Sequence, residues 1–149
     1  MTTARAARFA AAYALLRSSA DLADHWIQTD HQAQNKGQHD HNEGQSSAAG
    51  RRACAAHVAS YTATQAAALL LGTRLLGVRL RPGHVAAALA LSAVTHYVAD
   101  RREPLRRIAD ATGSRAFVRL ADHGLNGAYL LDQSWHHTFE TAAALIASA

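Results

Sequence analysis

A chain of 149 residues has the length of about one domain, enough to bury roughly two-thirds of its unfolded surface without covalent staples. Its single cysteine, Cys54, excludes an internal disulfide and any cysteine-rich zinc module, so a metal site here must be built from histidine and carboxylate. The net charge of +4 comes from fourteen arginines and one lysine, Lys36, against eight aspartates and three glutamates, and without interleaved aromatic and basic residues it argues against a nucleic-acid partner. Alanine and leucine dominate and no long alternating strand pattern occurs, which predicts an all-α class: a compact bundle of about four to five helices in one domain over residues 1–149. Arg5 and Arg8 precede the apolar run at residues 9–16, but that run is short, alanine-rich and interrupted by Arg17, so it reads as helix rather than as a cleaved signal. The first helix is expected over residues 3–36, bending near Ser18 and Ser19.

Residues 37–50 have almost no apolar content and read as a mobile polar loop. A second helix is expected over residues 51–76, ending near Gly77, and a third from Pro82 and Gly83 to about Arg102, ended with the help of Pro104. A short helix over residues 105–112 stops at Gly113, and the last helix covers residues 127–147. The apolar stretches at residues 63–72 and 85–94 are shorter than the ~20 residues that span a bilayer. Arg74, Arg79 and Arg81 lie between them, where arginine stems suit an interface, so a cytoplasmic bundle is expected, with contact to a membrane surface and homo-oligomer formation left open.

Three segments pair histidine and aspartate four residues apart: Asp21 with His25, His96 with Asp100, and Asp132 with His136. On a helix that spacing puts both side chains on one face, where imidazole and carboxylate form half of a divalent metal site. A single pair is better explained as a hydrogen bond orienting a helix end. Three pairs, joined by His57 in an otherwise apolar stretch, point to an ion that offsets the desolvation of all of them. The first helix offers more polar groups than one face can turn inward, and Asp24 and His25 are the expected ligands from it. The expected metal set is therefore Asp24, His25, His57, His96, Asp100, Asp132 and His136.

The ordered motifs 24-DHWIQTD-30, His57, 96-HYVADR-101 and 132-DQSWH-136 resemble a bacterial family of small helical proteins of unassigned activity, often with membrane helices foreseen from their sequences. The resemblance covers about residues 8–148. The family's first motif has a histidine four residues before the aspartate matching Asp24, and Ala20 stands there in this chain, leaving that ligand lost or replaced by Asp21 or His25. Locally, 95-THYVADRREPL-105 resembles the zinc-dependent phospholipase C and single-strand nuclease family, which implies zinc-ligand roles for His96 and Asp100. That match spans eleven residues, and Arg106 stands where those all-helical enzymes carry a further histidine, which argues against their trinuclear centre.

The function these residues suggest is a metal-dependent hydrolase acting on a phosphoester or another anionic small substrate. A divalent ion, zinc foremost with manganese, iron or magnesium as alternatives, would activate water, and Asp30 or Glu140 would take its proton. Arg101 and Arg102, with Gln28 on the first helix, are the expected substrate contacts, since arginine forks suit phosphate or carboxylate. The same centre would also serve a lyase, isomerase or cyclase, or a non-catalytic membrane-associated protein holding a structural ion.

Overall fold

The computed structural model describes residues 3–149, and it is all-α apart from one two-residue β-ribbon. Helix α1 spans Thr3–Leu22, continues as a wide π-turn over Ala23–Ile27, and is followed by a short α2, Asp30–Asn35. The long α3, Ser47–Leu75, and α4, Pro82–Asp100, form an antiparallel hairpin, after which come α5, Glu103–Ala111, and a 3-10 turn at Phe117–Arg119. Strands β1, Ala121–Asp122, and β2, Leu125–Asn126, pair antiparallel, and α6, Gly127–Ala147, closes the bundle.

Alanine makes the core possible. Ala12, Ala88, Ala143, Ala144 and Ala147 are buried together with Leu16 and Leu69, and side chains this small let α1, α3, α4 and α6 approach closely. At Gly72 the fit is tighter still: a Cβ there would strike the Leu15 side chain, so glycine brings α3 onto α1. Phe9, Tyr13, Val85 and Leu89 pack around this cluster and shield it from water.

The expected continuous helix over residues 3–36 is broken, and the break matters for the site. In the π-turn the Gln28 amide donates to the Ala23 carbonyl at 2.9 Å, which adds a residue to the turn and shifts the helix face. Thr29 then starts α2 with a capping box, its hydroxyl accepting from the Gln32 amide while the Gln32 side chain accepts from the Thr29 amide.

The polar loop is shorter than expected, because α3 begins at Ser47 under a Ser46 cap. It is also tied down. Arg101 Nη1 donates to the Lys36 carbonyl at 2.6 Å and Nη2 to the Gln38 carbonyl at 2.7 Å, while Asp40 and Ser47 exchange two hydrogen bonds. Gly50 leaves room for this strap, since a Cβ there would strike Arg101 and lie 2.5 Å from the Gln38 carbonyl oxygen.

Between α4 and α5 the chain turns within three residues. Arg102 has φ +60° and ψ −49°, and the Glu103 amide donates to the Arg101 carbonyl at 2.6 Å, a γ-turn of the strained kind. No helix among the described residues is long and apolar enough to cross a membrane.

Candidate metal centre

Three buried donors, His57, His96 and Asp100, come together between α3 and α4, and Asp24 from the π-turn approaches both histidines. His57 Nε2 lies 3.1 Å from Asp24 Oδ1, 3.0 Å from His96 Nε2 and 3.4 Å from Asp100 Oδ2. His96 Nε2 in turn lies 3.4 Å from Asp24 Oδ1 and 3.2 Å from Asp100 Oδ2. Each ring nitrogen carries at most one hydrogen, so ordinary hydrogen bonds account for two of these five approaches. The remaining three have no hydrogen of their own to share. Donors about 2.1 Å from a common centre sit about 3.4 Å apart in a tetrahedron and about 3.0 Å apart in an octahedron, which is the range observed.

Sequence pattern explains why the donors are here. His96 and Asp100 are one turn apart at the carboxyl end of α4, and His57 lies on the buried stripe of α3 with Cys54, Tyr61 and Gln65. His57 is completely buried, and His96, Asp100 and His136 are buried almost as deeply. On α6, His136 stacks on His96 with centroids 4.3 Å apart, and its Nε2 lies 3.4 Å from Asp132 Oδ2. Asp24, His96 and His136 offer donor atoms within 4.8 Å of one another, as do Asp100, Asp132 and His136. The buried histidines and aspartates thus form one continuous set that could hold a metal ion.

Of the seven expected ligands, six converge: Asp24, His57, His96, Asp100, Asp132 and His136. His25 stays outside that set. Its Nδ1 lies 2.9 Å from the Asp21 carbonyl oxygen, while the Asp21 carboxylate pairs with Arg17, so the first His-Asp spacing does not build a half-site. The π-turn is the reason, because it turns Asp24 inward and leaves His25 at the surface.

Electrostatics follow from the same packing. Burial by itself would raise the Asp100 carboxyl, but its bond to His96 and the charges of His96, Lys36 and His57 hold it well below the usual carboxylate range. Asp24 is lowered in the same way: His57, His96, His136 and Lys36 together outweigh its burial. Burial lowers His96. For His136 burial acts downward too, but the bond and charge of Asp132, with Asp24 and Asp100, raise it.

Lys36, whose role the sequence did not suggest, places Nζ 2.7 Å from Asp100 Oδ1. A buried chain of donors supports the other side of His96. Ser92 Oγ donates to Gln65 at 2.7 Å, Gln65 Nε2 to Tyr61 Oη at 3.1 Å, and Tyr61 Oη to Glu140 at 3.1 Å, with the Tyr61 ring tilted against His96 at 3.8 Å between centroids. Glu140, one of the two expected proton acceptors, is therefore at the foot of the site, bonded to Tyr61 and to Arg17 at 2.9 Å. The other, Asp30, sits exposed in the first turn of α2. Neither lines the cleft into which the centre opens. The helical spacing of His57, Tyr61 and Gln65 was the available signal for this network.

The centre opens into a cleft of about 490 Å³ whose walls include Asp24, Asp100, Asp132 and His136 together with Lys36, Arg102 and Arg106. Gln28 also lines it, and its Nε2 is buried without a hydrogen-bond partner. Arg101, expected beside Arg102 as a substrate contact, spends its guanidinium on the carbonyls of Lys36 and Gln38 instead. The γ-turn separates the roles of the two neighbours.

No family model, curated protein or solved structure matches the chain.

Proposed function

We propose that the protein is a metal-dependent hydrolase of an anionic small substrate, a phosphoester by preference. The observation that carries this reading is the approach of Asp24 and Asp100, at 3.1–3.4 Å, to imidazole nitrogens of His57 and His96 that are themselves 3.0 Å apart, where ordinary hydrogen bonds satisfy at most two of five contacts, beside a cleft with three cationic side chains. The imidazole and carboxylate set suits zinc, and its oxygen share also suits manganese or iron. A divalent ion held there supplies a Lewis acid and brings the pKa of water towards ~7.

The chain's own groups do the rest. Arg102 and Arg106 bind the anionic part of the substrate, with Gln28 Nε2 as a directional donor. Lys36 keeps one oxygen of Asp100 occupied, so the other stays turned to His57 and His96. Asp132, the most exposed carboxylate of the set, accepts the proton of the attacking water and is oriented by its contact with His136.

The test is titration of metal-stripped protein with zinc and manganese, followed by a panel of phosphomonoesters, phosphodiesters and carboxylate esters. We expect about one or more equivalents of bound metal and turnover of a phosphoester, both lost when His96 and Asp100 are changed to alanine. Failure to bind either ion would overturn the reading. Metal bound with no turnover of any ester would reduce the centre to a structural ion.

A further inference from the structure

From residue 44 to residue 99 the chain has no aspartate or glutamate, while Arg74, Arg79 and Arg81 crowd the turn between α3 and α4. All three are exposed, and their side chains make no ion pair or hydrogen bond among the described residues. Beside them Leu70, Leu71, Leu75 and Leu76 face solvent, Leu75 with 88% and Leu76 with 61% of its surface accessible. A single exposed leucine needs no explanation. Four within seven residues, edged by three unpaired cations, form a surface that is both apolar and positive.

We propose that this end of the bundle docks peripherally on an anionic lipid surface, with the leucines entering the headgroup region and the arginines pairing with lipid phosphates. Charge complementarity decides the occupant. A second copy joined by a two-fold axis would set these arginines against their own equivalents, a like-charge contact. A nucleic acid would satisfy the arginines but leave the leucines in water, and no exposed aromatic stands among them to stack a base. An anionic bilayer interface takes both, the long arginine stems covering apolar surface while their heads reach phosphate.

The architecture also sets the orientation. His57 and Leu75 lie on the same helix, eighteen residues and thus about 27 Å apart, so docking at Leu75 leaves the metal centre at the far end. The cleft then meets its substrate from the aqueous side.

The test is co-sedimentation of the full chain with vesicles of phosphatidylcholine alone and of phosphatidylcholine with phosphatidylserine, at low and at physiological salt. We expect partition onto the anionic vesicles only, weakened by salt. Each of Arg74→Gln, Arg79→Gln and Arg81→Gln should lower the partition about fivefold, since one basic residue near such a surface contributes about 1 kcal/mol. The pair Leu75→Asp and Leu76→Asp should abolish it. Because all five side chains are exposed, the circular dichroism and melting temperature of the variants should match the parent. No partition of the parent onto anionic vesicles at low salt overturns the proposal. So does partition that the triple arginine variant retains in full, or a parent that is dimeric by light scattering and becomes monomeric on the leucine substitutions.

Discussion

Lys36 Nζ, 2.7 Å from Asp100 Oδ1, holds one oxygen of a carboxylate whose other oxygen faces two imidazole nitrogens. The lysine comes from just beyond α2 and the aspartate from the end of α4, so this contact joins the two segments at the lip of the cleft. Both groups are largely buried. Lys36→Met therefore leaves Asp100 with one cation fewer in a low-dielectric site, and the metal-free protein should lose about 3 kcal/mol. Adding a divalent ion should recover most of that loss, because the ion supplies the missing positive charge. Urea unfolding with and without zinc checks this, and equal losses in both conditions would deny the ion its place beside Asp100.

His57 and His25 separate the buried donor set from its neighbourhood. His57→Ala removes a fully buried donor and should weaken metal binding by more than the roughly 10–100-fold typical of an outer partner. His25→Ala should bind metal as the parent does, since its ring is engaged by the Asp21 backbone. Calorimetric titration of the two variants, with helicity checked by circular dichroism, decides between them; similar losses would place His25 in the coordination sphere.

Protons and metal compete for the same atoms. His136 is raised above the usual histidine value of ~6.5, since Asp132, Asp24 and Asp100 outweigh its burial, and only its neutral form can ligate. Metal affinity should therefore be level at high pH and fall about tenfold per unit once the pH drops below that raised value. The carboxylates act in the opposite range. Asp24 and Asp100 titrate lower when folded than the ~3.9 of an unfolded aspartate, so their stabilisation is complete above about pH 4 and is lost as the pH falls through the folded values. Urea midpoints of metal-free protein should accordingly drop on acidification below about pH 4 as this protonation begins.

Glu140 tests whether the buried chain beneath His96 is structural. Burial raises its carboxyl against the pull of Arg17 and Tyr61, and it lies outside the cleft. Glu140→Gln should cost on the order of 1–2 kcal/mol by removing the buried charge that Arg17 pairs with, Asp21 remaining as its other partner, while metal stoichiometry stays the same. A loss of turnover by two orders of magnitude at unchanged stability and stoichiometry would instead make it a proton acceptor.

Arg101 and the loop it straps give a different readout. Arg101→Ala frees the Lys36 and Gln38 carbonyls, so amides of residues 37–46 should exchange faster by one to two orders of magnitude, with the bundle core unchanged. Hydrogen exchange by mass spectrometry reads this directly. A uniform change across all helices would show that the strap supports the whole fold instead.

What could be read without coordinates was what depends on local periodicity. The all-α class, the last helix over Gly127–Ala147, and the half-sites His96 with Asp100 and Asp132 with His136 all follow from one face of an α-helix recurring every three or four residues. His57 could be picked out too, as a lone polar group in an apolar stretch. The expected continuous first helix overlooked the capping box at Thr29 and Gln32, a helix start inside its span. The tertiary structure alone decided which faces meet. One extra residue in the π-turn kept Asp24 in the set and left His25 out of it, a γ-turn at Arg102 parted Arg101 from the cleft, and folding of the 37–46 loop brought Lys36 to Asp100. Sequence spacing sets direction within one helix, whereas convergence of side chains from four segments is fixed by packing between residues as far apart as Asp24 and His136.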